Sequence, residues 1–258
     1  MKNLLIGLVM IAAGTVPAAA DSTIRLRADN WCPYNCTPGD EKPGYMVEIA
    51  QTVFGKEKLD YQLMPWSRAV EAAREGQLEA VAGASEAEAK GFIFGKEPMG
   101  MSVNVIITRR GSNFRYQGQE SLAALKLAAV QDYSYGEEVD AYIAANRDKV
   151  ELLSGDDVTV QNLRKLLAKR VDAVIEDMNV AEYSLAAQGM DGLVEIQPID
   201  HATPLYIAFA PGNPAATEQA RKLDEGVRSL RRSGALSKLL ARYGLGDWAP
   251  LMAAAPQP

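Results

Sequence analysis

Leu78-Glu79-Ala80-Val81-Ala82-Gly83 has an echo further along the chain, Val171-Asp172-Ala173-Val174-Ile175-Glu176-Asp177. In each copy an amphipathic helical segment (residues 68–74 and 160–169) runs through a polar turn into a short apolar strand. The first strand ends on Gly83-Ala84-Ser85 and the second on Glu176-Asp177. In open α/β sheets ligands sit just beyond the carboxyl ends of the strands. Two such units predict two α/β lobes whose strand ends face one shared cleft. That arrangement suits capture of a small molecule.

The chain on either side of the two copies extends the pattern. Strand-like residues 24–28 and 59–64 and a helical segment at 45–54 place a β-α-β-α-β run ahead of the first copy's end. Such alternation implies a parallel sheet wrapped by helices. A β-branched strand over 103–108 leads to a second α/β stretch. Its strands are expected at 127–130, 150–153 and 173–175, and its helices at 134–145, 158–169 and 180–187. A strand over 206–210 and amphipathic helices over 217–232 and 236–243 close the fold, with Gly234 and Gly244 as helix stops. The order predicts two doubly wound lobes joined by a two-strand hinge, with crossings near residues 100–103 and 202–205. Residues 21–102 and 203–248 form lobe 1 in this reading, residues 103–202 form lobe 2, and 249–258 are a disordered tail.

Residues 1–20 read as a signal peptide. Lys2 precedes an apolar run at 4–13, and Ala18-Ala19-Ala20 supplies small residues for cleavage. The expected location is therefore periplasmic. The formal charge of −6 becomes −7 once Lys2 is removed. That balance argues against a nucleic-acid surface, which would be basic and clustered. Cys32 and Cys36 are the only cysteines, and in an oxidising compartment a local disulfide is expected. Metal binding and redox catalysis are weaker readings, because no second cysteine pair exists and the single histidine, His201, is distant in sequence. No metal and no cofactor is expected.

Several further stretches carry a resemblance. They are Trp31-Cys32-Pro33-Tyr34, Gly44-Tyr45-Met46-Val47-Glu48-Ile49-Ala50, Gly76-Gln77-Leu78-Glu79-Ala80-Val81, Val130-Gln131, the 171–177 motif, and Leu230 to Leu236 with Tyr243-Gly244. In this order and spacing the chain resembles the periplasmic solute-binding proteins of the polar amino-acid type, family 3, with the type II periplasmic binding fold. The resemblance implies that Trp31 stacks on a ligand, that Trp66 forms a second wall, and that Asp177 pairs with an amino group. It places a hydroxyl contact on Ser134 and another on Ser85, with Gln131, Tyr133 and Tyr135 beside them. One departure stands out. The family's carboxylate-binding Arg falls about five residues after that Ser, where this chain has Glu86-Ala87-Glu88-Ala89-Lys90. Lys90 keeps a cation without the planar fork of guanidinium, and Arg68, beside Trp66, is an alternative holder of an anionic group.

Each of these residues also has a plainer role. Trp31 and Trp66 can pack over a lobe edge, and Arg68 can be a surface helix residue. Asp177 and Ser134 can cap the helices that follow, roles compatible with ligand contact. Glu86/Glu88, Glu137/Glu138 and Asp156/Asp157 read as solvated faces or caps. The function expected is a monomeric, non-enzymatic binding protein that closes on a small polar ligand, an amino acid or related zwitterion or anion, for ABC-type uptake. Alternatives are input to a membrane sensor kinase or cyclase, and an exported lyase of the cyclohexadienyl dehydratase kind using Glu176 as its acid.

Overall fold

The computed structural model describes residues 23–199 and 202–254. The expected signal peptide and His201 lie outside the described residues. In chain order the elements are β1 (Ile24–Ala28), α1 (Tyr45–Phe54), β2 (Leu59–Leu63), α2 (Trp66–Arg74), β3 (Ala80–Ala84), β4 (Gly100–Ser102) and β5 (Asn104–Arg109). Then follow β6 (Leu127–Val130), α3 (Glu137–Ala145), β7 (Val150–Leu153), α4 (Val158–Leu167), β8 (Ala173–Asp177), α5 (Met178–Gln188) and β9 (Val194–Pro198). β10 (Thr203–Phe209), α6 (Ala216–Arg232), α7 (Ala235–Ala241) and α8 (Ala249–Ala254) complete the chain.

Two five-stranded sheets result, in the orders β2-β1-β3-β10-β4 and β7-β6-β8-β5-β9. Each has three parallel strands followed by antiparallel pairings, β10 against β3 and β4 in one, β5 against β8 and β9 in the other. The two halves therefore repeat one topology, and the opening echo supplies the matching strands β3 and β8. This is an α/β fold of two lobes, each a mixed sheet wrapped by helices, as the sequence predicts.

Period-two alternation along the strands decides which helix covers which face. In the first sheet Leu26, Ala28, Ala80, Ala82, Ile207 and Phe209 face α1 and α6, where Ile49, Leu223 and Val227 meet them. Their neighbours Val81, Ala84 and Ala208 turn the other way, toward Ala69 and Ala73 of α2. The second sheet divides likewise. Ile106, Leu127, Ala129 and Ile175 pack with Val139 and Ile143 of α3, and Val105, Ile107, Ala128 and Val174 pack with Leu163, Leu166, Ala181 and Leu185.

Val103 alone separates β4 from β5, so the first crossing between sheets is a single residue. The return lies between β9 and β10, earlier than expected, because Thr203, Pro204 and Leu205 already pair with Ser102, Met101 and Gly100. The disordered tail expected from residue 249 also needs correction, since Ala249–Ala254 is helical. Just before it, buried Trp248 stacks on Tyr45 at 6.0 Å and lies under the Arg231 guanidinium. Arg231 in turn pairs with Asp247 at 2.9 Å. Burying a large aromatic at this point ties the end of the chain to the first sheet.

Candidate functional site

Beyond Ala28 the chain leaves β1 through Asp29 and Asn30 and enters a tight turn. Trp31 N–H donates to the Asn35 carbonyl at 2.8 Å, and the Cys32–Cys36 disulfide closes the same turn. A closed loop this short is worth about 2 kcal/mol by chain entropy. Reducing the bond should therefore lower the melting temperature by only a few degrees, measured with and without reductant. An unfolded reduced protein would show a larger structural role. The turn holds Trp31 flat on Tyr34, with centroids 4.4 Å apart, and edge-on to Tyr133 at 6.1 Å.

Gly83 explains how the indole fits. It sits on β3 with φ of 83°, and a Cβ there would lie 3.2 Å from Asn35 Oδ1 and 3.5 Å from the Trp31 ring. The first copy of the echo thus ends on a residue without a side chain because its backbone takes a positive φ and Asn35 Oδ1 lies close by.

Between the two sets of strand ends lies a cavity of about 180 Å³. Of the residues expected at the site, Trp31, Trp66, Ser85, Tyr133, Ser134, Tyr135 and Asp177 line it. Arg68, Lys90 and Gln131 do not. On α2 the residues Ala69 and Ala73 are buried against the sheet, whereas Arg68 is exposed. Lys90 is exposed because its neighbour Ala89 is the residue turned into the core. Neither cation is part of the cavity wall, so the anion-holding role expected of them finds no support in the lining. Gln131 is exposed beyond the end of β6, its backbone N–H donating to the Leu153 carbonyl at 2.8 Å.

The lining adds Asp29, Asn104 and Thr203, which sequence reasoning passed over, and Glu88 and Glu137, which it read as solvated faces or caps; Glu137 is exposed in the first turn of α3. Glu88 is half-buried, and its Oε2 accepts from the Ser85 hydroxyl at 2.6 Å and the Ser85 N–H at 3.2 Å. Burial raises its carboxyl above the ordinary value. Asp29 accepts a short hydrogen bond from the Tyr133 hydroxyl, and desolvation pushes it up to about 6.

Glu176 and Asp177 end β8, each 1% exposed. Glu176 Oε1 accepts from Trp31 Nε1–H at 3.2 Å and from the Asp177 amide at 2.8 Å, and its Oε2 accepts from Thr159 at 2.6 Å. Loss of water pushes it up to about 7. Asp177 caps α5, its Oδ1 accepting from Val180 N–H at 3.0 Å. Its Oδ2 accepts from Ser102 at 2.8 Å and from Val103 N–H at 3.2 Å, with the Tyr34 hydroxyl at 3.1 Å. The same desolvation pushes it up to about 6. Both oxygens are thus engaged, and three of the donors belong to the crossing or the residue stacked beneath Trp31.

Ser134 does not open α3. Gly136, with φ of 92°, precedes the helix, and Asp140 folds back to accept from Ser134 Oγ at 2.6 Å and Tyr135 N–H at 2.8 Å. Tyr135 is buried, and its hydroxyl oxygen accepts from Val130 N–H at 2.8 Å. Tyr133 reaches across the cleft, its hydroxyl donating to Asp29.

The lobes meet directly across this cavity. Trp31 bonds Glu176, Tyr133 bonds Asp29, Ser67 bonds Asp132 at 3.1 Å, and Asn30 reaches Asp157 at 3.5 Å. A pocket closed by two lobes at their strand ends is the arrangement of a protein that encloses its solute. The sequence profile of the bacterial extracellular solute-binding proteins, family 3, matches residues 25–246. The chain belongs to this family.

Solved structures similar to this solute-binding protein agree in fold. A histidine kinase sensor domain with similarity to periplasmic binding proteins shares 22% identity at a TM-score of 0.67, covering 86% of this chain and 95% of that one. An ancestral arginine-binding protein bound to arginine shares 20% at 0.68, covering 86% and 98%. EhuB in complex with hydroxyectoine shares 18% at 0.71, covering 91% and 93%. No curated protein sequence matches the chain. Among the described residues of the solute-binding protein no helix is long and apolar enough to cross a membrane.

Proposed function

We propose that this protein is a periplasmic, monomeric binding protein that closes its lobes around one small polar solute and presents it to an ABC-type permease. The observation that carries the reading is the cavity itself, walled by Trp31, Trp66 and Tyr133 and bridged by the Trp31–Glu176 and Tyr133–Asp29 bonds between lobes. Such bonds form only when the lobes are together, so a solute that fills the cavity stabilises the closed state over the open one. Both oxygens of Glu176 are taken up by protein donors, which supports binding over turnover.

Two of the three tryptophans, Trp31 and Trp66, line the cavity, so solute capture should change intrinsic fluorescence while X-ray scattering shows contraction. Mass spectrometry of the purified protein under native conditions should reveal the solute it carries. Trp31→Ala should weaken that solute about tenfold or more, because it removes both an aromatic wall and one interlobe bond. Equal affinity in wild type and Trp31→Ala would sink the assignment of this cavity.

A sensor partner in place of the permease is the second reading. The similarity to a histidine kinase sensor domain motivates it, and a pull-down with the solute-loaded protein separates the two.

A further inference from the structure

We propose that the cleft selects an organic cation that carries no carboxylate, a diamine or a guanidinoalkyl amine, over the corresponding α-amino acid. This rests on the reading of the cavity as the capture site. Among the residues lining it are five carboxylates, Asp29, Glu88, Glu137, Glu176 and Asp177, and no Lys or Arg. An α-amino acid brings its own anion, which in this cavity would meet no opposite charge.

The decisive feature is Glu88. The loop after β3 offers an anion the Ser85 amide and hydroxyl, and both already donate to Glu88 Oε2, at 3.2 and 2.6 Å. The protein's own carboxylate fills the place where a ligand carboxylate would be held. An incoming one would find its donors taken and a like charge beside them, which discriminates by repulsion as well as by lost contacts.

The rest of the lining points the same way. Trp31 and Trp66 present aromatic surfaces, which attract cations. Asn35 is fully buried, and its Oδ1 has no hydrogen-bond partner among the described residues. It lies under the cavity floor, 3.2 Å from where a Cβ on Gly83 would sit. Among the described residues no group of three or more His, Cys, Asp or Glu is arranged to hold a metal ion. The complementary charge is therefore an extended organic cation whose nitrogens reach separate acceptors.

Matched pairs of ligands test this, since each pair differs by one carboxylate. Calorimetry at pH 8 on the purified, dialysed protein should show agmatine binding at least tenfold more tightly than arginine, and 1,4-diaminobutane at least tenfold more tightly than ornithine. An amino acid that binds as tightly as its amine, or more so, overturns the cation selection and leaves solute capture standing. Binding of none of the four at millimolar concentration overturns the selection as well. Solute capture also falls only if native mass spectrometry finds no bound molecule. Glu88→Arg should shift the preference within each pair by tenfold or more toward the amino acid, and an unchanged preference overturns the role given to Glu88. If Glu88→Arg fails to fold by circular dichroism, Glu88→Gln serves. It should lower amine affinity about tenfold, and unaltered affinity again overturns the proposal.

Discussion

Replacing Asp177 with alanine is expected to destabilise the protein by about 3–5 kcal/mol, a large share of the stability of an ordinary domain. The carboxylate caps α5 through Val180 N–H and also receives Ser102 Oγ–H and Val103 N–H, with the Tyr34 hydroxyl alongside. Loss of the cap costs about 1 kcal/mol. Each donor left buried without a partner costs roughly 1–3 kcal/mol more. For a chain of this size that corresponds to a fall of roughly 6–20 °C in melting temperature. Asp177→Asn should lose less, because its amide oxygen can still cap Val180. Urea unfolding of the two variants checks the order. A loss below about 1 kcal/mol for Asp177→Ala would mean that water reaches the crossing and satisfies those donors.

The second large effect is on lobe closure. Without solute, the protein should open as pH rises from about 5 to 8. Asp29 and Glu176 bridge the lobes, and in the closed cleft burial pushes them from 3.8 to about 6 and from 4.5 to about 7. Their neighbours are Tyr133, Trp31, Glu88, Glu137 and Asp177, none of them cationic. Opening returns both acids to water and to ordinary values. The closed form then binds more protons than the open form between about pH 4 and 7, so closure is favoured at low pH and lost as pH rises through 6–7. A carboxyl raised from 3.8 to about 6 is worth roughly 3 kcal/mol at neutral pH, ample to move a two-state equilibrium. X-ray scattering of solute-free protein should show the radius of gyration increasing over that interval. A constant radius would show that the lobes stay closed with these acids ionised. A cationic solute replaces the protons, so its affinity should weaken below about pH 6.

Asp177 and Asp29 show what the sequence disclosed about the site and what it withheld. Asp177 is the last residue of its strand and Asp29 comes directly after the end of its own, so the rule that singled out the first applies equally to the second. Asp29 was passed over because nothing local shows that Tyr133, far along the chain, closes onto it. Glu88 was read as solvated for the same reason: its burial comes from the other lobe. Arg68 falls outside the cavity wall for a different reason. The Ala69/Ala73 spacing on α2 already marked the sheet-facing side of that helix, and Arg68 lies off it. Local runs fared best, with β6 and β7 ending where their apolar residues end. Ser134 misled because Gly136 bends the backbone before the helix can begin.

The strand order of the first sheet bears on how the chain assembles during synthesis. β4 is joined to that sheet only through β10, and β10 also flanks β3. Until residues 203–209 exist, β4 has no partner and one side of β3 stays bare. The second sheet draws all five of its strands from one continuous stretch, Asn104 to Pro198. Chains are made from the amino terminus, and units fold as they become complete. The middle of this protein can therefore mature first, while its opening segment waits for the last quarter of the chain.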